Sequence, residues 1–164
     1  MKKLALTDFA KYRYPSALEL SPDSRYLTFA LKDVDREGDG YRWNLWLYDL
    51  ERRESRQITQ GDDQRKAVWE DNTHILYKTT EPDEALRARG FEEEWTVYHR
   101  LNVCTGEDRE AFRLPMSVSG LWKMDEGRYV FTGETHLDRP NLLELTGEAL
   151  EKELVRRQQT RGYK

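Results

Sequence analysis

The chain has 164 residues, enough for one ordinary domain with a sizeable core, and 35% of them are charged, yet the net charge is only −4. Interspersed charge with a slight acidic excess excludes the basic footprint of a nucleic-acid binder. No run approaches the ~18 apolar residues of a membrane span.

Five Trp, nine Tyr and five Phe make up 12% of the sequence. Aromatic residues fit pleated, half-buried surfaces, so a β-rich core is expected, with a ligand-stacking surface as the sharper alternative. Cys104 is the single cysteine, which rules out an internal disulfide and suits a reducing compartment. The charged start Met1-Lys2-Lys3 resembles a signal peptide, but Thr7-Asp8 and Lys11 break the apolar run that should follow. A soluble, cytoplasmic protein is the expectation.

In chain order, residues 1–15 read as a lead-in with one or two helical turns at Thr7–Tyr12, capped by Thr7 and stopped by Pro15. From Ser16 the apolar period changes to two. "SALEL", the turn "SPDS" and "RYLTFALKD" form a hairpin whose second strand carries apolar groups on both faces, so burial on both sides is expected. "DVDREGDGYR" reads as a long polar loop, "NLWLYDL" as a third strand and "ESRQIT" as a fourth.

The pattern then restarts. "KAVWEDNTHILYKTT" copies the opening hairpin, "EPDEALRARGFEEE" is a polar insertion, and "WTVYHRLNV" and "DREAFRL" match the third and fourth strands. "SVSGLWKMDEGRYVFTGET" opens a third copy, with Asp125-Glu126-Gly127 in the turn. Phe29, Tyr77 and Phe131 recur at intervals of 48 and 54 residues. Four short strands repeating at this period are the mark of a β-propeller blade. The fold class expected is therefore all-β: a partial propeller of about two and a half antiparallel blades (16–62, 66–115 and an incomplete 117–135), with short helices at both termini. Residues 136–164 then read as a loop and an amphipathic helix from Gly147 to about Gln159, capped by Thr146 and lined by Leu150, Leu154 and Val155.

A blade cannot bury both faces alone. A face of roughly 300 Å² left in water forgoes about 8 kcal/mol, large beside a domain stability of ~5 to 15 kcal/mol. The expectation is that the missing faces are covered by further blades of a longer polypeptide or by self-association through blade edges, with the C-terminal helix shielding one end at most.

Ser117-Val118-Ser119-Gly120 lacks the first glycine of a nucleophile elbow, and no helix pattern follows it, so a strand with a small-residue bulge is expected. His74, His99 and His136 have no metal-ligand spacing, with or without Cys104. Asp33 to Asn44 imitates a calcium loop, but Asn44 stands where the bidentate glutamate should be and strands flank it. No catalytic residue, metal or cofactor is expected.

"LALTDFAKYRYPSALELSPDSRYLTFALKDVDREGDGYRWNLWLYDLERRESRQIT" resembles the start of the S9 (prolyl oligopeptidase) family of serine peptidases, especially its acylaminoacyl-peptidase and dipeptidyl-peptidase branch. The leading Leu6–Phe9, the Ser21–Ser24 turn, the Leu45–Leu50 strand and Arg56–Thr59 carry the likeness, and the later blades and "LDRPNLLEL" also fit. Similar "SPD" turns occur in TolB-type and other WD40-like propellers, which leaves a non-enzymatic interaction module as the alternative. Ser24 departs from the family pattern, which has glycine after "SPD". The resemblance implies a propeller seated over an α/β-hydrolase domain outside this chain, gating peptide substrates and orienting their amino termini. It also implies that neighbouring glutamates hold the substrate ammonium, for which Glu92, Glu93 and Glu94 are the candidates. Their plainer reading is a solvated acidic loop.

Overall fold

Alternation of apolar and polar residues produces ten strands in three antiparallel sheets among the described residues of this computed structural model, which are 8, 11–35, 38 and 40–161. The helical lead-in expected at 7–12 lies largely outside them. The first sheet orders β1 (Tyr14–Leu20), β2 (Tyr26–Asp35), β3 (Gly40–Asp49) and β4 (Glu54–Gln57) side by side. The second repeats this order with β5 (Ala67–Trp69), β6 (His74–Pro82), β7 (Glu94–Asn102) and β8 (Asp108–Leu114). The third is the hairpin β9 (Ser117–Lys123) and β10 (Tyr129–Glu134). Two full blades and half of a third match the repeat read from the sequence.

The "SPDS" turn is built from its own side chains. The Ser21 hydroxyl donates to Asp23 Oδ1 (2.6 Å) and accepts from the Tyr26 amide (2.9 Å), while the Arg25 amide donates to Asp23. Hydrogen bonding from Ser21, then from the Arg25 amide, holds the Asp23 carboxyl below its ordinary range. Asp71 does the same work in the second blade, accepting from the amides of Thr73 and His74. Ser24 sits at φ +60°, in the left-handed region where a Cβ is strained. Ser24→Gly is therefore expected to raise stability by about 0.5–1 kcal/mol, read as a higher urea midpoint.

The polar stretch expected to be a loop is strand at both of its ends, 33–35 and 40–42. β2 runs to Asp35 and β3 starts at Gly40, in continuous register through Asp33↔Arg42 and Asp35↔Gly40. Cross-strand polar contacts replace apolar ones there: Arg42 pairs with Asp35, Arg13 with Asp33, and the Lys32 ammonium lies 3.6 Å from the Tyr41 ring centroid.

Two cores lie between the blades. Tyr26, Ala30, Leu45 and Leu47 of the first blade pack on Trp69, Ile75, Tyr77, Leu101 and Val103 of the second. The Trp69 indole stacks on Tyr26 and donates to the Glu19 carbonyl (3.1 Å). On its other face, the second blade offers Leu76 and Tyr98 to Val118 and Leu121 of the third. The turn of blade two is tied to blade three and its own sheet by Glu70, which pairs with Arg100 (2.5 Å) and accepts from Tyr129.

The second blade is thus sandwiched, and its neighbours are covered on one side. On the outer face of the first blade Leu20 is 54% exposed, and Leu27 and Phe29 are only half-buried, so β2 is not buried on both sides as its sequence predicted. Trp122, 48% exposed, and Val130 sit on the outer face of the third. Among the described residues the C-terminal helix shields neither face. It packs instead on the insertion of the second blade.

Candidate functional site

That insertion folds back on itself. The Asp83 amide donates to the Glu93 carbonyl (2.9 Å), closing an 83–93 loop between β6 and β7. Asp83 Oδ1 caps a short helix, α1 (Glu84–Arg87), by accepting from the Leu86 amide (3.0 Å), and Oδ2 accepts from the Trp95 indole (3.1 Å). This helix departs from the plain polar insertion expected there, because four residues are too few for a periodic signal. Gly90 at φ +80° turns the chain, and its successor Phe91 is driven into a small core.

The rest of that core comes from the end of the sequence. Leu86 and Phe91 meet Leu142 and Leu154. Asn141 caps the 3₁₀ turn Leu142–Glu144 through the Leu143 amide (3.0 Å) and donates to the Pro115 carbonyl. The second helix, α2 (Gly147–Arg161), is latched by Arg89, which clasps Glu151 through two bonds of 2.6 and 2.7 Å.

The buried stripe of α2 differs from the predicted one. Leu154 is fully buried and Leu150 packs beside it, but Val155 is half-exposed. Glu153, 7% exposed, and Arg157 complete the stripe at helical spacing as an ion pair (3.0 Å). Reading only apolar residues missed both. Bonds from Arg156 hold the Glu153 carboxyl down to about 2 against desolvation, with Arg157 adding to them. A lowered carboxyl stabilises the fold above its ordinary range and loses that contribution as pH falls from about 4 towards 2. Acidification is therefore expected to loosen α2 in that window, seen as loss of protection of the Leu154 amide; Glu153→Gln should reduce the pH dependence, the remainder resting on Glu151, which Arg89 also holds low.

Between this lobe and the third blade lies a cavity of about 720 Å³. All three candidate glutamates line it, joined by Pro115–Ser117 from the β8–β9 link and by 133–137 at and beyond the end of β10. They are not equivalent. Glu93 Oε1 accepts from Arg157 (3.0 Å), whose guanidinium also donates to Glu153 and the Pro140 carbonyl. Glu92 and Glu94 are exposed and have no ion pair among the described residues. Arg157 is satisfied by two carboxylates, so Glu92, Glu94 and Glu134 leave the wall acidic, with Arg139 the opposing cation. Arg157 lies 64 residues from Glu93 along the chain, and no local pattern marks it as a partner.

The remaining candidates are structural. Ser119 stands where the β9–β10 register shifts, between the pairs Gly120↔Thr132 and Val118↔Gly133, and its hydroxyl bonds to Thr132. This is the expected bulge. His74 bonds to Asp71 (2.9 Å), His99 to Thr79 (3.0 Å) and His136 to Arg139 (2.5 Å). Among the described residues, no group of three His, Cys, Asp or Glu side chains is placed to hold a metal.

Comparison with solved structures decides the fold. The β-propeller domain of the Trilobed protease from Pyrococcus furiosus, described as having an open velcro topology, superposes with a TM-score of 0.54 at 13% identity. This chain has a β-propeller fold, and it is not closed. The match covers 75% of this chain and 34% of the other. Pyrococcus horikoshii acylaminoacyl peptidase gives 0.57 at 15% identity, over 76% of this chain and 18% of that one. The propeller described here thus spans about a third or less of each of these proteins. No family model and no curated protein matches the sequence. No helix among the described residues is long and apolar enough to cross a membrane.

Proposed function

We propose that this propeller is a non-catalytic segment of a cytoplasmic S9-type serine peptidase, and that the cavity beside Glu92 and Glu94 receives the amino terminus of a peptide. The observation that carries the reading is the division of labour among three neighbouring glutamates. Arg157 neutralises Glu93, leaving Glu92 and Glu94 on the same wall without an ion pair among the described residues. Two carboxylates close together bind an ammonium through charge-assisted hydrogen bonds. The sequence resemblance and the propeller likeness to two peptidases support the class of enzyme. In this reading the hydrolase domain supplies the nucleophile, and the outer faces of the first and third blades take further blades or a second copy of the chain.

The test is a titration of the purified chain with Ala-Ala-amide and with its N-acetyl counterpart. Binding of the free amine, at least tenfold weaker after acetylation and lost in Glu92→Gln/Glu94→Gln, is the expected result. Equal binding of both peptides would overturn the site. The chain alone should not turn over chromogenic dipeptides, and turnover blocked by a serine-directed reagent would overturn the non-catalytic assignment. The rival reading, an interaction module without enzymatic ties, is favoured by the exposed outer faces and predicts no peptide binding at all.

A further inference from the structure

We propose a second site on this propeller, a carboxylate-binding pocket between the second and third blades, with Lys78 and Tyr98 as its recognition groups. The pocket has a volume of about 270 Å³ and shares no lining residue with the cavity beside Glu92. It therefore stands or falls independently of the function proposed above.

Lys78 and Tyr98 are directly opposite each other on β6 and β7, so both side chains project from the same face of the blade. Tyr98 is 4% exposed, stacks on Phe112, and its phenol has no hydrogen-bond partner among the described residues. The phenol oxygen is not sealed off in the core; it opens on the pocket, where it is free to donate to an entering acceptor. Its apolar surroundings push its pKa up to about 12, which keeps it a donor at any physiological pH. The half-buried Lys78 ammonium donates to the Val118 carbonyl (2.7 Å) and has no carboxylate partner among the described residues. An ammonium has three donors, so two remain.

The two groups together offer hydrogen-bond donors and one positive charge, the complement of a carboxylate. Val68, Leu76 and Leu121 supply apolar walls, which suit a short aliphatic tail and not a bare inorganic anion. At the rim, Asp63 is neutralised by Arg65 (2.7 Å), and Lys66 lies over Trp122 (5.7 Å) and near Glu19 (3.9 Å). The local balance stays positive in a chain of net charge −4. The ligand class is a small monocarboxylate, either a free acid or the terminal carboxylate of a short peptide.

The experiment is an amide-resolved NMR titration of the whole chain with butyrate, acetyl-Ala-Ala and its amide, butylamine and inorganic phosphate. Saturable shifts around Val118 to Leu121 with butyrate or acetyl-Ala-Ala are expected, the tighter of the two identifying the source of the carboxylate. Lys78→Met, which keeps the methylenes, and Tyr98→Phe, which keeps the ring stacking, should each weaken binding about tenfold or more. No saturation with either carboxylate would overturn the proposal. So would unchanged affinity in Tyr98→Phe, or binding of butylamine, the peptide amide or phosphate as tight as that of the carboxylates.

Discussion

Phe91→Ala should lower the unfolding free energy by about 3–5 kcal/mol, the cost of emptying a large, enclosed aromatic site. Phe91 is 1% exposed and is the bulkiest member of the core that joins the blade-two insertion to the C-terminal segment. No other apolar contact of comparable size holds those two distant pieces together among the described residues. Their remaining ties are polar: Arg89 to Glu151 and Arg157 to Glu93. The loss should therefore be selective. α2 should fray while the inter-blade aromatic signals of Tyr26 and Trp69 persist in near-ultraviolet circular dichroism. Because Glu92 to Glu94 border this lobe, peptide-amine binding should weaken in the same variant.

Ile75→Ala should cost about 2–5 kcal/mol and act on both blades at once. Ile75 is fully buried where the first two sheets face each other, touching the cluster that includes Leu45, Leu47 and Leu101. Propeller stability is close to a sum over neighbouring modules, so a cavity in one interface loosens the two sheets that share it. The comparison variant is Leu20→Ala on the uncovered face of the first blade. It should shift stability by no more than about 0.5 kcal/mol, as expected of an exposed position. Chemical denaturation of the three proteins measures both values on one scale.

The parts of this fold that were legible in the sequence are those whose information is local. The turns at Ser21–Ser24 and at Asp71–His74 are assembled from side chains within five residues of one another, and the strands around them alternate with period two. The repeat, and hence the stacking of blades, follows from that. The extension of β2 and β3 through 33–35 and 40–42 was hidden because charged cross-strand partners stand where apolar ones give the usual signal. The stripe of α2 was hidden for the same reason: Glu153 and Arg157 occupy positions that an apolar pattern assigns to leucine and valine. The candidate site lay further out of reach. Its glutamates could be singled out as a cluster, but what separates Glu93 from Glu92 and Glu94 is a single arginine on a helix in the last part of the chain. Tyr98 likewise looked like any other aromatic in a strand. What sets it apart is its place opposite Lys78 on the wall of a pocket.

The central claim is that blades stack in sequence and leave the outer faces of the first and third uncovered. Amide hydrogen exchange of the native chain tests it most directly. Amides of β6 and β7, in the sandwiched blade, should exchange only through global unfolding, while those of Val130 to Thr132 in β10 exchange by local opening, orders of magnitude faster. Equal protection of β10 and β7 would mean that the outer face is covered within the chain, and would contradict the account.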